Sequence, residues 1–155
     1  MAPGTHPVLT GARIVLLDAD GVFLRLPAAK ELECLELFED FLRESDFADV
    51  QVVAAGQWKS HIGLEGVRKL FADDLGERFV DVTPDIDGSD GFRSHVEIHA
   101  WLAAHPEIAD YVVLESGHFW PRLPALESAV FVDPGRGVLG SLEVEALARH
   151  FRSSW

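Results

Sequence analysis

The densest group of reactive side chains is Asp18-Ala-Asp20-Gly21-Val22, directly after the hydrophobic run Ile14-Val-Leu-Leu17. A strand that ends in carboxylates delivers them to the crevice beyond the carboxyl edge of an open α/β sheet, where ligands bind. Two acids two residues apart at such an edge repel each other unless a cation or a shared proton intervenes. Mg²⁺ suits the pair, because it takes hard oxygen ligands and accepts one or two carboxylates together with phosphate oxygens. The plainer alternative is that Asp20-Gly21 only turns the chain, as Asp-Gly pairs commonly do. Other reactive residue types are less well placed. His95 and His99 have a zinc-chelating spacing, but no Cys or third His stands in motif spacing with them, so helix surface or partial burial is the default. His118 faces the crevice or is a satisfied loop histidine. Phe119 and Trp120 either wall a base or sugar ring or pack their loop onto the domain. Cys34, among helical apolar residues, reads as a small core side chain.

The elements that must position these residues follow from short apolar runs alternating with longer helical patterns, as in an α/β domain with a mostly parallel sheet. Strands are expected at Arg13–Asp18, Val50–Ala55, Phe79–Val82, Tyr111–Glu115 and Ala129–Val132. Helices are expected from Pro27 and Ala28 to about Glu44, over about Gly63–Phe71, over about Phe92–Ala104 ahead of Pro106, and from near Ser141 onward. The first helix turns Leu35, Phe38 and Leu42 inward, leaving Glu31, Glu33, Glu36 and Glu39 as a solvated acidic face. A turn-rich stretch, residues 83–91, follows the third strand. No internal repeat, low-complexity tract or long linker divides the chain.

Composition sets the class. The 155 residues suit one domain, residues 1–155, with residues 1–10 expected to be a flexible N-terminus. A hydrophobic fraction of 48%, including 10 Phe and 4 Trp, supplies a core and argues against intrinsic disorder. With 26 acidic against 13 basic side chains the net charge is −13, which counts against strong autonomous nucleic-acid binding. A single Cys, a start without signal-peptide features and the absence of any apolar run of about 18 residues lead us to expect a soluble, cytoplasmic protein with no membrane partner.

Asp18-Ala-Asp20-Gly21-Val22 after its hydrophobic strand resembles the first motif of the haloacid-dehalogenase-like (HAD) superfamily. The order that follows is Gln57-Trp58-Lys59, Arg93-Ser-His-Val-Glu97-Ile98, Tyr111-Val-Val-Leu-Glu115, Val132-Asp133-Pro134 and Gly137-Val-Leu139. It is similar to one branch, the capless HAD domain of Swiss army knife RNA repair proteins, from about Arg13 to the final helix. The resemblance implies a three-layer α/β/α Rossmann-like fold, with a five-stranded parallel sheet in the order 5-4-1-2-3 and no large cap domain. It further implies a Mg²⁺-dependent phosphohydrolase that works through an aspartyl-phosphate, with Asp18 as nucleophile and Asp20 as general acid/base. Arg93 is the best match to the cation that steadies nucleophile and phosphate, with Lys59 second. Asp18, Asp20 and Glu115 would hold the metal. An open, capless site suits a large phosphorylated substrate, such as a nucleic acid end or another large phosphate ester.

The departures from the family pattern define a competing reading. The family's second motif ends the second strand in Ser or Thr, whereas here the stretch is Val53-Ala54-Ala55-Gly56-Gln57, with no hydroxyl. Backbone N–H groups of Gly56 and Gln57, or the Gln57 amide, are the replacement donors. Glu115-Ser116 stands where the family has one or two acids, and Ser116 cannot replace a lost carboxylate charge. Arg93 has a plainer use in an i,i+4 pair with Glu97, worth a few tenths of a kcal/mol if exposed. The alternative to an enzyme is therefore a catalytically degenerate HAD-like domain that binds or docks through the old crevice. A receiver-type signalling domain would need a phospho-accepting Asp after a later central strand, and nothing of that kind follows Ala55 or Val82.

Overall fold

Apolar residues fill nearly every position of β1 (Arg13–Asp18) and β2 (Val50–Ala55), so both strands must be covered on both faces. The computed structural model describes residues 13–18, 28–86, 93–108, 110–116, 129–132 and 141–153. Residues 1–10, Asp20, His118, Phe119, Trp120 and residues 133–139, all singled out above, lie outside the described residues. β1 pairs in parallel with β2 on one side and with β4 (Asp110–Ser116) on the other. β2 pairs in parallel with β3 (Phe79–Val82), and Ala129–Val132, β5, runs parallel beside β4. The order is β3-β2-β1-β4-β5, which puts the Asp18 strand inside the sheet.

Strand alternation sends successive side chains to opposite faces. Val15, Leu17, Val52, Ala54, Val112 and Leu114 pack against α1 (Ala28–Arg43), α2 (Gln57–Lys69) and α4 (Ser141–Ser153). Ile14, Leu16, Val53, Ala55 and Val113 pack against α3 (Arg93–Ala104), through Ile98 and Trp101. The chain is thus an α/β domain with a parallel sheet and helices on both faces, consistent with a HAD Rossmann-like fold. Phenylalanines carry much of the larger core: the Phe71 and Phe79 rings stack at 4.3 Å and Phe41 meets Phe47 at 4.6 Å. Cys34 is buried among them, as expected.

Two arginines bind the elements together at the amino edge of the sheet. Arg78 donates to the carbonyls of Val50 (2.7 Å), Leu42 (2.8 Å) and Phe47 (2.6 Å), satisfying backbone acceptors that would otherwise be stranded. Arg13, at the amino end of β1, donates to Asp49, to the Asp46 carbonyl (2.6 Å) and to the Phe151 carbonyl (3.2 Å). Its guanidinium also lies over the Phe47 and Phe151 rings, at 5.8 and 5.5 Å.

Three local expectations are revised. α2 begins at Gln57 rather than near Gly63, because Gly63 interrupts it at φ 68, ψ 177 and only the half beyond the kink has clear helical periodicity. β4 extends one residue further at each end than its apolar run, from Asp110 to Ser116. On the acidic side of α1, Glu36 is exposed, but Glu39 accepts the Ala72 backbone N–H at 2.6 Å and so secures the turn at Asp73–Arg78. Among the described residues no helix is long and apolar enough to cross a membrane.

Candidate active site at the carboxyl edge of the sheet

Parallel register collects the candidate residues at one edge. Asp18 ends β1 directly opposite Ala55, the last residue of β2. On its other side Leu17 pairs with Leu114, so Glu115 is the next residue of β4 beside Asp18. Asp18 is partly exposed, whereas the four residues before it are buried. Arg93 opens α3, which covers the face of the sheet that carries Ile14 and Leu16.

The turn from β2 into α2 is built on Gly56, at φ 93 and ψ −179. That region is open essentially to glycine alone, which accounts for the residue type there. The indole N–H of buried Trp58 donates to the Ala55 carbonyl and holds the turn closed. One residue later, Lys59 is buried and points its ammonium toward Asp85 Oδ1 (2.5 Å), the Pro84 carbonyl (3.3 Å) and Glu97 Oε1 (3.4 Å). Glu97 in turn accepts the Ile86 backbone N–H through Oε2, at 2.7 Å. Ser60 Oγ donates to Asp85 Oδ1 (2.5 Å), and the Thr83 N–H donates to the Ala54 carbonyl (2.9 Å). Residues 83–86 are therefore strapped across the carboxyl ends of β2 and β3 by α2 on one side and α3 on the other.

An ammonium has three donors, and Lys59 has three protein acceptors around it. Glu97, whose plainer use is a local pair with Arg93, also has a long-range partner in Lys59 across the sheet edge. Sequence reasoning did not find Thr83, Asp85 and Glu97 as a group. The available signal was Thr83-Pro84 immediately after a strand, hence at the same edge as Asp18. Thr83 is buried, and its Oγ1 has no hydrogen-bond partner among the described residues.

The resolved shifts in acidity lie at the opposite end of the sheet. The Arg13 guanidinium, hydrogen-bonded to Asp49, holds that carboxyl below its ordinary value. Burial lowers Arg78, with Asp49 pulling the other way. Among the described residues no three His, Cys, Asp or Glu side chains are grouped to hold a metal ion, and of the expected set Asp20 and the side chain of Glu115 are outside them.

No match was found among curated proteins or among solved structures. Residues 14–139 match the family described as the HAD domain in Swiss Army Knife RNA repair proteins. That span covers most of the chain and runs from the strand before Asp18 to the segment after β5. The parallel sheet, with Asp18 at the carboxyl end of an interior strand, is consistent with the fold of that family. The chain belongs to this HAD domain family.

Proposed function

We propose that this chain is a Mg²⁺-dependent phosphohydrolase of the capless HAD type, a single three-layer α/β/α domain with a five-stranded sheet. The observation that carries the reading is the position of Asp18, at the carboxyl end of β1 between Ala55 of β2 and Glu115 of β4. Asp18 attacks phosphorus, forming an Oδ–P bond as the bond from phosphorus to the leaving oxygen breaks. Asp20 gives its proton to that leaving oxygen, then takes one from the water that cleaves the aspartyl-phosphate, releasing phosphate and restoring both carboxyl groups. Arg93, at the start of α3, holds the phosphate. Backbone N–H groups of Gly56 and Gln57 act as donors where the family has a hydroxyl.

Asp18 and Glu115, at neighbouring positions on adjacent strands, would together with Asp20 hold a hard divalent cation through carboxylate oxygens. Mg²⁺ bound there supplies charge neutralisation for the phosphoryl oxygens. Lys59, assigned from sequence to the phosphate side, has its donors engaged by Asp85, Pro84 and Glu97, so Arg93 is the better phosphate cation. The substrate class is a phosphorylated nucleic acid end or another large phosphate ester, and the setting is cytoplasmic; the family's RNA repair description supports the first.

The test is hydrolysis of aryl phosphates and phosphate-ended oligonucleotides with and without Mg²⁺. Turnover that needs Mg²⁺ and vanishes in Asp18→Asn supports the enzyme. Equal background rates in both proteins, with no Mg²⁺-dependent rise in melting temperature, favour the second reading, a degenerate HAD-like binding module. Ala55, which ends β2 with no hydroxyl, is the observation behind that second reading.

A further inference from the structure

Thr83 is the one described residue at the carboxyl edge whose side-chain polar atom is buried with no partner. The residue is 1% exposed and its Oγ1 has no hydrogen-bond partner among the described residues. Buried hydroxyls are nearly always paired, so an orphan in a native fold calls for an explanation. Its place in the sheet supplies one. Ala54 pairs with Val82, so Thr83 stands next to Ala55, and Ala55 pairs with Asp18. Thr83, Ala55 and Asp18 thus form one row across the ends of β3, β2 and β1. The middle residue is an alanine and the next along the chain is Gly56, so no bulky side chain comes from β2 between the outer two.

From this row we infer that Thr83 is a substrate-binding residue whose hydroxyl donates to a phosphoryl oxygen of the substrate held at Asp18. This rests on the phosphohydrolase reading and adds a residue to it. The hydroxyl missing from the end of β2 is supplied from the adjacent strand. Two strand spacings separate Thr83 from Asp18, roughly 10 Å between backbones. An aspartate side chain, a phosphoryl group and one hydrogen bond span that gap. The donor is also held in place. Its N–H is tied to the Ala54 carbonyl, and the next residues are held by Lys59 on Pro84 and Asp85 and by Glu97 on Ile86. A donor fixed before the substrate arrives needs no reorganisation when charge develops on the oxygen it meets.

The experiment compares the full-length wild type, Thr83→Val, Thr83→Ser and Asp18→Asn. Two quantities are measured: the melting-temperature rise produced by orthovanadate with Mg²⁺, and Mg²⁺-dependent hydrolysis of an aryl phosphate. Thr83→Val keeps the shape and removes only an unpaired hydroxyl, so its melting temperature without ligand should equal or exceed that of the wild type. It should lose most of the vanadate-induced rise and slow hydrolysis on the order of 10²-fold, mainly in kcat, while Thr83→Ser keeps both. A Thr83→Val protein with the wild-type vanadate response and rate overturns the assignment and leaves the phosphohydrolase standing. A Thr83→Val protein that is destabilised without ligand also overturns it, because the hydroxyl then has an internal partner to lose. A wild type with neither a vanadate response nor Asp18-dependent turnover refutes the phosphohydrolase itself, and the Thr83 assignment with it.

Discussion

Lys59 and Glu97 form an ion pair, 3.4 Å apart, whose side chains are 2% and 1% exposed and which joins α2 to α3 over the carboxyl edge of the sheet. Burying two charges is costly unless each is paired and hydrogen-bonded, and here both are. Lys59 also reaches Asp85 and the Pro84 carbonyl, and Glu97 accepts the Ile86 N–H. The pair fixes the segment that carries Thr83, and so links the stability of the fold to the geometry of the candidate site.

Breaking this pair from one side should cost far more than replacing it whole. Lys59→Met leaves the Glu97 carboxylate buried without its cation and should destabilise by about 3–5 kcal/mol. The double variant Lys59→Met/Glu97→Leu should recover a large part of that loss, because the buried carboxylate is removed together with its ammonium and Asp85, which also loses Lys59, is largely exposed to water. Urea unfolding of the two single variants and the double variant measures the coupling. Simple additivity would show that the two side chains do not act as a pair.

Arg78 should be the most sensitive charged residue away from the site. Arg78→Ala strands the carbonyls of Leu42, Phe47 and Val50 and should cost about 3 kcal/mol. Arg78→Lys keeps the charge but lacks the planar fork, so it should rescue only part of the loss. Full recovery with Lys in denaturant melts would mean that charge alone, rather than three directed hydrogen bonds, is what counts.

Asp49 should make stability fall on the acid side. Its hydrogen bond from Arg13 holds the folded carboxyl below the ordinary value of about 3.9. The contribution is therefore complete above that value and disappears as pH falls through the lower folded value. Asp49 is 61% exposed, so solvent screening limits it to about 1 kcal/mol or less. Asp49→Asn should be less stable than the wild type at about pH 6, with the gap narrowing as pH falls below about 4. A gap that stays constant across that range would assign the effect to something other than ionisation.

Restoring a hydroxyl to the end of β2 should succeed at one position and fail at its neighbour. Gly56 sits at φ 93, ψ −179, so Gly56→Ser forces a side chain into a glycine-only region at about 1–3 kcal/mol and disturbs the turn. Ala55 has ordinary strand geometry in register with Asp18, so Ala55→Ser should fold and raise aryl phosphate turnover if that missing donor limits the rate. Melting temperatures and rates of the two variants are the measurements. An Ala55→Ser protein that folds with unchanged turnover would show that the missing hydroxyl is already compensated.

Much of the fold was legible from local pattern. The bounds of β1, β2 and β3 and the extent of α3 and α4 coincide closely with their apolar runs and helical periodicities. Periodicity in these segments is imposed by burial, and burial leaves its mark residue by residue. The start of α2 was not legible. Gly56 and Gly63 read locally as helix-weakening, yet in the fold Gly56 forms the turn and Trp58 bonds back to Ala55, so the helix begins six residues before the kink.

The sequence by itself determined the family, the strand that presents Asp18 and the edge at which Glu115 and Gly56 must lie, because helical segments alternating with strands impose parallel crossovers that bring the strand ends to one edge. Only the tertiary structure decided which charges meet. Glu97, four residues from Arg93, is an obvious partner for it along the helix, and it also lies 3.4 Å from Lys59, which is 38 residues away in the chain. Helix spacing reports only neighbours one turn apart. The crossover from α2 on one face of the sheet to α3 on the other brings Lys59 and Glu97 over the same strand ends. That folding path also sets Thr83 in line with Asp18, a relation that lies in the register of three strands rather than in any single stretch of chain.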